Sequence, residues 1–385
     1  MANSTLSREF VVLGAGAVGS AATYHLARRG RSTTLVEQFE IGHDRGSSHG
    51  SARIIRHSYA DPLYAGLMPR AFEVWRALEA DAGRSLYIRT GGVSICPPES
   101  DYVARVAANL AAGAVSHRRM SGAELRRAVP QFQTPENHDA VFEPDAGMLL
   151  AADCLAVELQ LARAYGGDRT TILDRRKILR IDLEASRPTL VTDAGTIVAD
   201  KLIVAAGAWV ARLLPVLPVA LAPTRQWVTY FRPEPLEAYA IGRFPVFIAM
   251  GNDRDHDFYG MPAHLGVGVK VARHGGPLVD PDQVDRVVDD SYRDLVRAFL
   301  RQHLPALAAS PIDLTETCLY TMSPDEHFRV DFLEGRTDVI VASPCSGHGF
   351  KFSCLVGAVA ADLAETGQAE TADAAWKLGV TSKTA

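Results

Sequence analysis

The stretch from residue 10 to residue 37 constrains what this chain can fold into more than any other part of it. A short apolar run at 10–13 is followed by GAGAVG at 14–19, by a helical pattern at 20–29, and by a second strand-like run at 33–37. Strand, GxGxxG, helix and strand in this order are typical of the βαβ unit that binds a dinucleotide. The sequence therefore predicts a Rossmann-type nucleotide-binding lobe.

The three glycines of this motif have separate physical tasks. Gly14 permits the tight turn, Gly16 lets a pyrophosphate approach the backbone, and Gly19 lets helix and strand pack closely. The helix that follows the glycines offers amide groups and a positive dipole end to the phosphates. Glu37 ends the second strand, where a carboxylate accepts hydrogen bonds from ribose hydroxyls and repels a 2′-phosphate. The motif argues against NADP and leaves NAD and FAD open.

Length and charge set the outer limits of the interpretation. A chain of 385 residues is too long for one hydrophobic core, so we expect two lobes. The 40 basic and 45 acidic residues give a formal net charge of −5, without a long basic run. This balance gives no support to a nucleic-acid partner or to a polybasic membrane anchor.

The apolar stretches and the cysteines indicate a compartment. The longest apolar runs, at 202–208 and 354–361, are too short to span a membrane, and the polar start lacks the apolar core of a secretion signal. The cysteines follow neither a CxxC nor a zinc-knuckle spacing; they are Cys96, Cys154, Cys318, Cys345 and Cys354. We expect a soluble, cytoplasmic protein that binds no metal.

The remaining patterns predict a mixed α/β (α+β) fold. Helical spacing occurs at 64–82, 99–129, 151–166, 285–302 and 352–363. Strands are expected at 90–96, 201–206 and 339–342, a hairpin at 189–199, and an antiparallel sheet within 224–272. We expect a discontinuous nucleotide-binding lobe from residues 1–85, 145–215 and 315–385. The substrate lobe, rich in β-structure, would comprise 86–144 and 216–314.

Three later segments carry candidate binding residues. In HGSARIIRH at 49–57, Arg53 and Arg56 lie three apart beside a long Gly/Ser loop, and arginine pairs bidentately with carboxylates. The second segment is TCLYTMSPD at 317–325, and the third is SGHGFKFS at 346–353. Lys351 lies near a helix start, where a cation is unfavourable, so its position indicates an anionic ligand.

Together these segments resemble the monomeric sarcosine oxidase family of flavoproteins, which includes N-methyltryptophan oxidase. The resemblance extends over nearly the whole chain in matching order and spacing, from GAGAVG through SSHGSARIIRH and CLYTMSPDEHF to SGHGFKFS. It implies a fold like that of D-amino-acid oxidase, with FAD as the cofactor. In that family a cysteine of the CxYT segment is joined to the 8α-methyl group of the flavin, and the matching residue here is Cys318.

The resemblance also implies roles for individual residues. Arg56 and Lys351 match the pair that holds the substrate carboxylate, and Tyr259 and Ile248 belong to the same substrate-binding pocket. The catalytic set it implies contains Lys270, which is associated with oxygen activation, His274, which is associated with the substrate amine, and also Arg53 and Tyr320. The cofactor-binding set it implies comprises Gly14, Gly16, Val18, Gly19, Glu37, Ser48, His49, Arg53, Ala206, Gly207, Cys318, Gly347, Gly349 and Lys351.

The chain departs from the family pattern around the substrate. Ile248 stands where the family has a methionine, and Ala52 replaces a threonine near the flavin. Pro344 and Cys345 precede SGHGFK where a glycine and a bulky residue are expected. These departures concern which amine is used. Sarcosine, another N-methyl amino acid, proline and pipecolate all satisfy a carboxylate clamp beside an apolar pocket.

The resemblance therefore implies an FAD-dependent oxidase of an amino acid with an N-methyl or cyclic secondary amine. The C–N bond would be oxidised to an imine, O2 would be reduced to H2O2, and the protein would be a monomer. Alternatives are a D-amino-acid oxidase that acts on primary amines and a dehydrogenase with another electron acceptor. An NAD-dependent dehydrogenase and a flavin-binding subunit without activity also remain open at this point.

Overall fold

A computed structural model of the chain describes residues 5–252, 256–344 and 346–369. The helices are α1 (Ala17–Arg28), α2 (Pro62–Ala82), α3 (Tyr102–Ala112), α4 (Gly122–Ala128), α5 (Ala151–Gly166), α6 (Val210–Leu213), α7 (Asp290–His303), α8 (Pro305–Ala308) and α9 (Ser353–Thr366). The strands up to the middle of the chain are β1 (Thr5–Leu13), β2 (Thr33–Val36), β3 (Ala52–Ile55), β4 (Tyr87–Arg89), β5 (Gly92–Cys96), β6 (Arg118–Ser121), β7 (Asp139–Glu143), β8 (Gly147–Leu150), β9 (Thr170–Leu173) and β10 (Ile178–Asp182). They continue with β11 (Thr189–Thr192), β12 (Gly195–Val204), β13 (Ala222–Phe231), β14 (Val246–Ala249), β15 (Phe258–Met261), β16 (Val269–Arg273), β17 (Ile312–Met322), β18 (Arg329–Phe332) and β19 (Val339–Ser343).

The first sheet contains the predicted nucleotide-binding unit. Its strands run in the order β10-β11-β12-β1-β2-β9, and β19 pairs with the end of β12 and carries β18 on its other side. The central strands β19, β12, β1, β2 and β9 are parallel. Both faces of β1 are buried, since Val12 joins the core beneath α1, α5 and α9 whereas Val11 joins a second core on the opposite face. Burial on both sides explains why such strands read as continuous apolar runs.

The second sheet is a large, mostly antiparallel layer in the order β17-β13-β16-β15-β14-β5-β7-β6. The strands within 224–272 pair antiparallel, as predicted, and the pair β14–β5, which reaches outside that range, is parallel. One face packs against α7 and α8 through residues such as Phe247, Val271 and Leu300. Because side chains alternate along a strand, the neighbouring positions face the other way. That opposite face carries the site described below.

A small third sheet lies between the two. Its strands run β3-β8-β4, all antiparallel, and β3 leads directly into the segment that contains Arg56. The turn at 144–146 joins β7 of the second sheet to β8 of the third. This sheet therefore links the nucleotide-binding unit to the second lobe.

Several predicted elements have different bounds in the structure. The segments expected as a hairpin at 189–199 and a separate strand at 201–206 include one continuous strand, β12, which pairs along its whole length with β1. The helical prediction for 99–129 was partly wrong, because β6 separates α3 from α4 and pairs with β7. Helix α1 begins at Ala17, three residues earlier than expected, because the glycine turn leads into it without a spacer.

We propose a division of the chain into two lobes that follows the sheets. The boundary expected at 314/315 falls inside β17, and that strand pairs with β13 over its length. We therefore assign β17 to the substrate lobe, and we keep the other boundaries of the discontinuous division as predicted. Residues 1–4 and 370–385, which the sequence assigned to the nucleotide-binding lobe, lie outside the described residues.

Candidate active site

One cavity of about 940 Å³ runs between the first and second sheets. The structure brings most of the predicted site residues to its wall: Gly14, Gly16, Val18, Glu37, Ser48, Arg53, Arg56, Ala206, Gly207, Ile248, Tyr259, Lys270, His274, Cys318, Tyr320, Gly347, Gly349 and Lys351. Gly19 and His49 were also predicted, and they lie behind this wall. A cavity of this size is in the range of cofactor and ligand sites.

The glycine turn forms one end of the cavity. Gly14 has φ +101° and donates its amide to Val36 O at 2.8 Å. A Cβ on Gly14 would come within 2.5 Å of Ala205 O, and a Cβ on Gly19 within 1.7 Å of Gly14 O. Both positions therefore require glycine, and Gly19 serves helix–strand packing instead of lining the cavity.

Glu37 is the acid expected at the end of β2. Its Oε2 accepts the amide of Ala15 at 2.8 Å, and its Oε1 accepts the amide of Phe39 at 2.9 Å. Burial alone would raise the pKa of Glu37, but hydrogen bonds from His43 and these two amides hold it below the usual value. A buried, ionised carboxylate beside the glycine turn is the group that a ribose requires.

The Gly/Ser loop folds over the same end. Ser48 Oγ accepts the amide of Ala17 at 3.0 Å and so holds the loop against the start of α1. Arg53 donates from Nη2 to Ser47 O and to His49 O, both at 2.6 Å, and these two hydrogen bonds hold the loop against β3. Burial and the charge of Arg53 lower the pKa of His49 to about 4, so this histidine is neutral near pH 7.

One face of the second sheet supplies the centre of the cavity. The register aligns Ile248 with Tyr259, Met261 with Lys270, Lys270 with Tyr230, and Gln226 with Cys318. Since the pairing is direct and side chains alternate, these residues all project from the face opposite α7 and α8. Predicted residues up to 72 positions apart in sequence thus share one wall; they are Ile248, Tyr259, Lys270, Cys318 and Tyr320.

Lys270 is a buried cation in the middle of this wall. Its side chain is 2% exposed, and its Nζ lies 5.7 Å from the centre of the Tyr230 ring. Burial and the nearby charge of Arg53 lower the pKa of Lys270 to about 7, whereas Glu316 opposes that effect. Glu316 accepts a hydrogen bond from Tyr230 Oη at 2.8 Å. The charge of Lys270 therefore changes near neutral pH.

Cys318 lies on β17 with its thiol buried. Burial raises the pKa of Cys318, and the positive charges of Arg53 and Lys270 oppose that rise. The described cysteines are all free, namely Cys96, Cys154, Cys318 and Cys354, and among them Cys318 is the one that lines the cavity. Cys345, which the sequence analysis singled out, lies outside the described residues.

Tyr320, His274 and Gly347 form a tight group at the far end. The rings of His274 and Tyr320 have centroids 5.4 Å apart. Gly347 has φ +79°, and a Cβ there would lie 2.4 Å from Tyr320 and 2.6 Å from His274. The backbone of the SGHGF segment approaches these rings as only glycine permits. Tyr259 lies beside Tyr320, both side chains are partly buried, and desolvation raises the pKa of both phenols.

Arg56 and Lys351 both contact Tyr59. The Arg56 guanidinium carbon is 4.5 Å from the centre of the Tyr59 ring, and Lys351 Nζ donates to Tyr59 Oη at 3.1 Å and to His348 O at 3.0 Å. Within the described part of the chain, Arg56 Nε and Nη1 are buried without a hydrogen-bond partner. Burial and the charge of Arg56 lower the pKa of Lys351 well below its usual value. An anion between the two cations would accept hydrogen bonds from Arg56 and would raise the pKa of Lys351.

Two residues near this clamp were not predicted from the sequence: Tyr59, which contacts both cations, and Glu143, which accepts the amides of residues 57 and 58. Tyr59 stands three residues after Arg56, so its proximity to a predicted site residue was a usable signal. Glu143 gave no such signal, because it lies 86 positions from His57 in sequence and meets residues 57 and 58 only through the fold.

The residues present fit FAD. The glycine turn leaves the space that a side chain would fill, and the helix start and Glu37 suit a pyrophosphate and a ribose. Buried Nε and Nη1 of Arg56, which lines the cavity, have no partner among the described residues. The cavity continues from there to a cationic pocket on the second sheet. The fold and this site together define the class of flavin-dependent oxidoreductases.

Comparison with known proteins makes the assignment specific. Residues 9–363 match the model of the family described as "FAD dependent oxidoreductase", and this chain belongs to that family. The chain is 34% identical over 371 residues to monomeric sarcosine oxidase of Bacillus sp. (strain NS-129), and the match covers 94% of each protein. It is 31% identical to N-methyl-L-tryptophan oxidase of Salmonella enteritidis, over 92% of this chain and 94% of that protein.

Solved structures share the architecture. The L-proline dehydrogenase from P. horikoshii superposes with a TM-score of 0.83 over 97% of this chain and 98% of that chain, at 21% sequence identity. At this identity the likeness establishes the fold alone. Within the described residues, no helix of the chain has the length and apolar character needed to cross a membrane.

Proposed function

We propose that this protein is an oxidase of a small amino acid with a secondary amine, N-methyl or cyclic, and that O2 is its electron acceptor. The observation that carries the proposal is the cation pair Arg56 and Lys351, which opens on the cavity that Lys270 and Cys318 also line. Relatives at 31–34% identity over most of the chain are a sarcosine oxidase and an N-methyl-L-tryptophan oxidase. These support the class of substrate.

The clamp would hold the substrate by its carboxylate. Arg56 has two buried donor atoms without partners, and Lys351 is already oriented by Tyr59 Oη and His348 O. A carboxylate held by two fixed cations loses its rotational freedom, which places its Cα and nitrogen in one position. The apolar and aromatic wall that contains Ile248 and Tyr259 would then contact the substituent on the amine.

The same cations would prepare the amine for oxidation. An ammonium group in a pocket with positive charges has a lowered pKa, because like charges and desolvation disfavour its charged form. We place His274 and Tyr320 beside the amine, where the His274 imidazole is available to accept the proton that the amine releases and the protonated Tyr320 phenol is available as a hydrogen-bond donor. FAD, when bound, would supply the redox chemistry: it would accept a hydride equivalent from the carbon next to the amine nitrogen and pass the two electrons on to O2.

Lys270 would act on the oxygen side of the reaction. It is fixed by burial, and its positive charge would stabilise the negative charge that develops as O2 is reduced. Arg53 lies near enough to lower its pKa and would add to the same positive field. The products would be H2O2 and an imine, and water would hydrolyse an acyclic imine to a carbonyl compound and the dealkylated amine.

We further propose that the flavin is attached covalently through Cys318, as the resemblance to sarcosine oxidases implies. The position of its thiol in the cavity wall, near the charges of Arg53 and Lys270, supports this attachment. A monomer is supported by the relatives whose name includes "monomeric". A cytoplasmic location is supported by the free state of the described cysteines.

The proposal is tested by peroxide release from purified holoprotein under air. The panel contains sarcosine, other N-methyl amino acids, proline and pipecolate, with the matching primary amino acids in both enantiomers. The methyl ester of each active substrate is the matched control, because it keeps the amine and removes the anion. We expect H2O2 from secondary amines and strongly reduced turnover of the esters.

Other outcomes of this panel are informative. Activity confined to primary D-amino acids would replace the proposal with a D-amino-acid oxidase. Substrate-dependent reduction of an artificial dye without H2O2 would indicate a dehydrogenase. A purified protein without a yellow chromophore after reconstitution with FAD would overturn the assignment of the whole site.

A further inference from the structure

A buried carboxylate lies behind the anion clamp and takes no part in the chemistry described above. Glu143 is the last residue of β7, and its side chain is 0% exposed. Its oxygens accept the amide of His57 at 2.9 and 3.1 Å, His57 Nδ1 at 2.7 Å and the amide of Ser58 at 3.0 Å. The Ser58 hydroxyl donates to the same carboxylate. Within the described residues, two adjacent residues thus supply every hydrogen bond that the Glu143 carboxylate accepts.

The position of those donors connects Glu143 to the clamp. His57 and Ser58 stand between Arg56 and Tyr59 in the sequence. Arg56 and Tyr59 line the cavity, whereas His57 and Ser58 do not. The segment has left β3 at Ile55 and has not yet entered α2, so no ladder or helix fixes its backbone. Among the described residues, Glu143 is the sole acceptor for the amides of 57 and 58, and it replaces the missing secondary structure.

The hydrogen bonds that Glu143 accepts stabilise its ionised form and hold it in place. Burial alone would raise its pKa, but the hydrogen bonds from His57 and Ser58 outweigh burial and hold the pKa below its usual value. The His57 ring is further stacked on Phe72, with centroids 4.2 Å apart and planes 8° apart. A buried charge with several charge-assisted hydrogen bonds resists displacement, because breaking one partner leaves the others unsatisfied.

We propose that Glu143 is a positioning residue of the carboxylate clamp. It fixes the positions of Arg56 and Tyr59, and through Tyr59 that of Lys351, so that the two cations Arg56 and Lys351 face the substrate anion. The inference rests on the proposed function, since it presumes that Arg56 and Lys351 bind a carboxylate. Through Tyr59, which stacks with Arg56 and accepts from Lys351, a shift at residues 57–58 reaches both cations. Glu143 touches neither the substrate nor the cofactor in this role.

The substitution Glu143→Gln tests this role with little change in volume. A glutamine amide nitrogen cannot accept the donors that the carboxylate oxygen accepts, so two N–H groups would face each other. We expect KM for the carboxylate substrate and the inhibition constant of acetate, used as the smallest carboxylate probe, to rise together by about tenfold, the factor that corresponds to one charged hydrogen bond. The value of kcat should change less than KM, and turnover of the methyl ester should be nearly unaffected.

A double-mutant cycle separates positioning from general stability. In an Arg56→Met background the clamp is already broken, so adding Glu143→Gln should weaken acetate binding by no more than about twofold. A purely structural role would give the full loss in both backgrounds or a lowered melting temperature without a change in acetate affinity. Either result would overturn the proposal.

Two further variants keep the test decisive. Glu158→Gln changes another fully buried glutamate, on α5 in the nucleotide-binding lobe, and should leave acetate affinity unchanged.

If Glu143→Gln does not fold, Ser58→Ala removes one donor alone. It should still raise KM and the inhibition constant of acetate, by a smaller factor. Wild-type protein that neither oxidises carboxylate-bearing amines nor binds acetate would refute the proposed function; a normal wild type with an unaffected Glu143→Gln would refute only this inference.

Discussion

Lys270 shows how a single buried residue acquires a functional charge. An exposed lysine remains protonated across the neutral range, but burial and the charge of Arg53 bring the pKa of Lys270 to about 7. The folded pKa is thus depressed, so the ammonium form predominates below about pH 7 and is lost as the pH rises through that value. The rate of any reaction step that needs the positive charge of Lys270 should therefore decrease as the pH rises through about 7.

We predict that Lys270→Met slows the reaction of the reduced enzyme with O2 by at least about tenfold, in keeping with the value of one fixed charge in a preorganised site. Reduction by the amino acid should change much less. In the parent protein the oxygen rate constant should fall as the pH rises through 7, and in the variant it should be flat. Stopped-flow absorbance of both half-reactions measures this, with the surface variant Lys201→Met as control; equal losses in both half-reactions would contradict the role.

Cys318 supports a second prediction at this scale. If its sulfur holds the flavin, Cys318→Ala should release yellow flavin into the supernatant on acid precipitation, whereas the parent protein should keep it in the pellet. Cys354→Ala, which alters a buried cysteine of α9, serves as the matched control and should retain the flavin. Flavin that leaves the parent protein freely would show that the attachment is absent.

At the scale of elements, the site depends on how the Gly/Ser loop is tied to β17. Arg286 donates to Asp44 O at 2.9 Å, to Arg45 O at 2.8 Å and to Thr317 O at 3.2 Å. Thr317 Oγ1 donates in return to Arg286 O at 2.8 Å. One side chain from the substrate lobe thus joins the loop that lines the nucleotide end of the cavity to the residue next to Cys318.

We predict that Arg286→Met loosens this loop and weakens flavin retention. The lost hydrogen bonds to a charged donor correspond to about 2 kcal/mol, because Arg286 is partly exposed and solvent weakens them. The ratio of flavin to protein absorbance should fall, and the acid-releasable fraction of flavin should rise. Arg301→Met, on the exposed face of α7, provides a comparison in which neither quantity should change. Unaltered flavin content in the Arg286 variant would exclude the loop as a retaining element.

At the scale of the whole molecule, the cavity exists only where both lobes meet. The nucleotide end is built on the first sheet and the cationic wall on the second, so a bound cofactor contacts both. A ligand that binds the folded state alone stabilises it by an amount that depends on its concentration. Cofactor binding and cooperative unfolding should therefore be coupled.

The Cys318→Ala protein allows this coupling to be measured, because its cofactor can be removed. Its melting temperature should rise steadily with added FAD, by an increment equivalent to about 2.7 kcal/mol at one hundred times the dissociation constant. ADP, which reaches only the nucleotide end, should give a smaller increase. A melting temperature that is independent of FAD would mean that the lobes form no joint site.

The fold and the site differ in how far the sequence predicts them. The βαβ unit was predicted correctly because its signal is local: a strand, three glycines and an acid within 28 residues. The bounds of α3, β6 and α4 were not, because the short strand β6 is held by pairing with β7 and has little propensity pattern of its own. Lys270 and Cys318 were found through resemblance to a family and not through periodicity.

By itself the sequence determined the nucleotide-binding unit, because that unit is written in a short motif whose spacing has a direct physical meaning. The flavin and the residues that we propose carry the chemistry were inferred from resemblance to a family. Only the tertiary structure decided which side chains face each other across the cavity. Tyr59 between the two cations, and Glu143 bound to a segment 86 residues away, result from strand register and lobe packing. Contacts of this kind connect residues that are distant along the chain, and no local pattern of residue types specifies them.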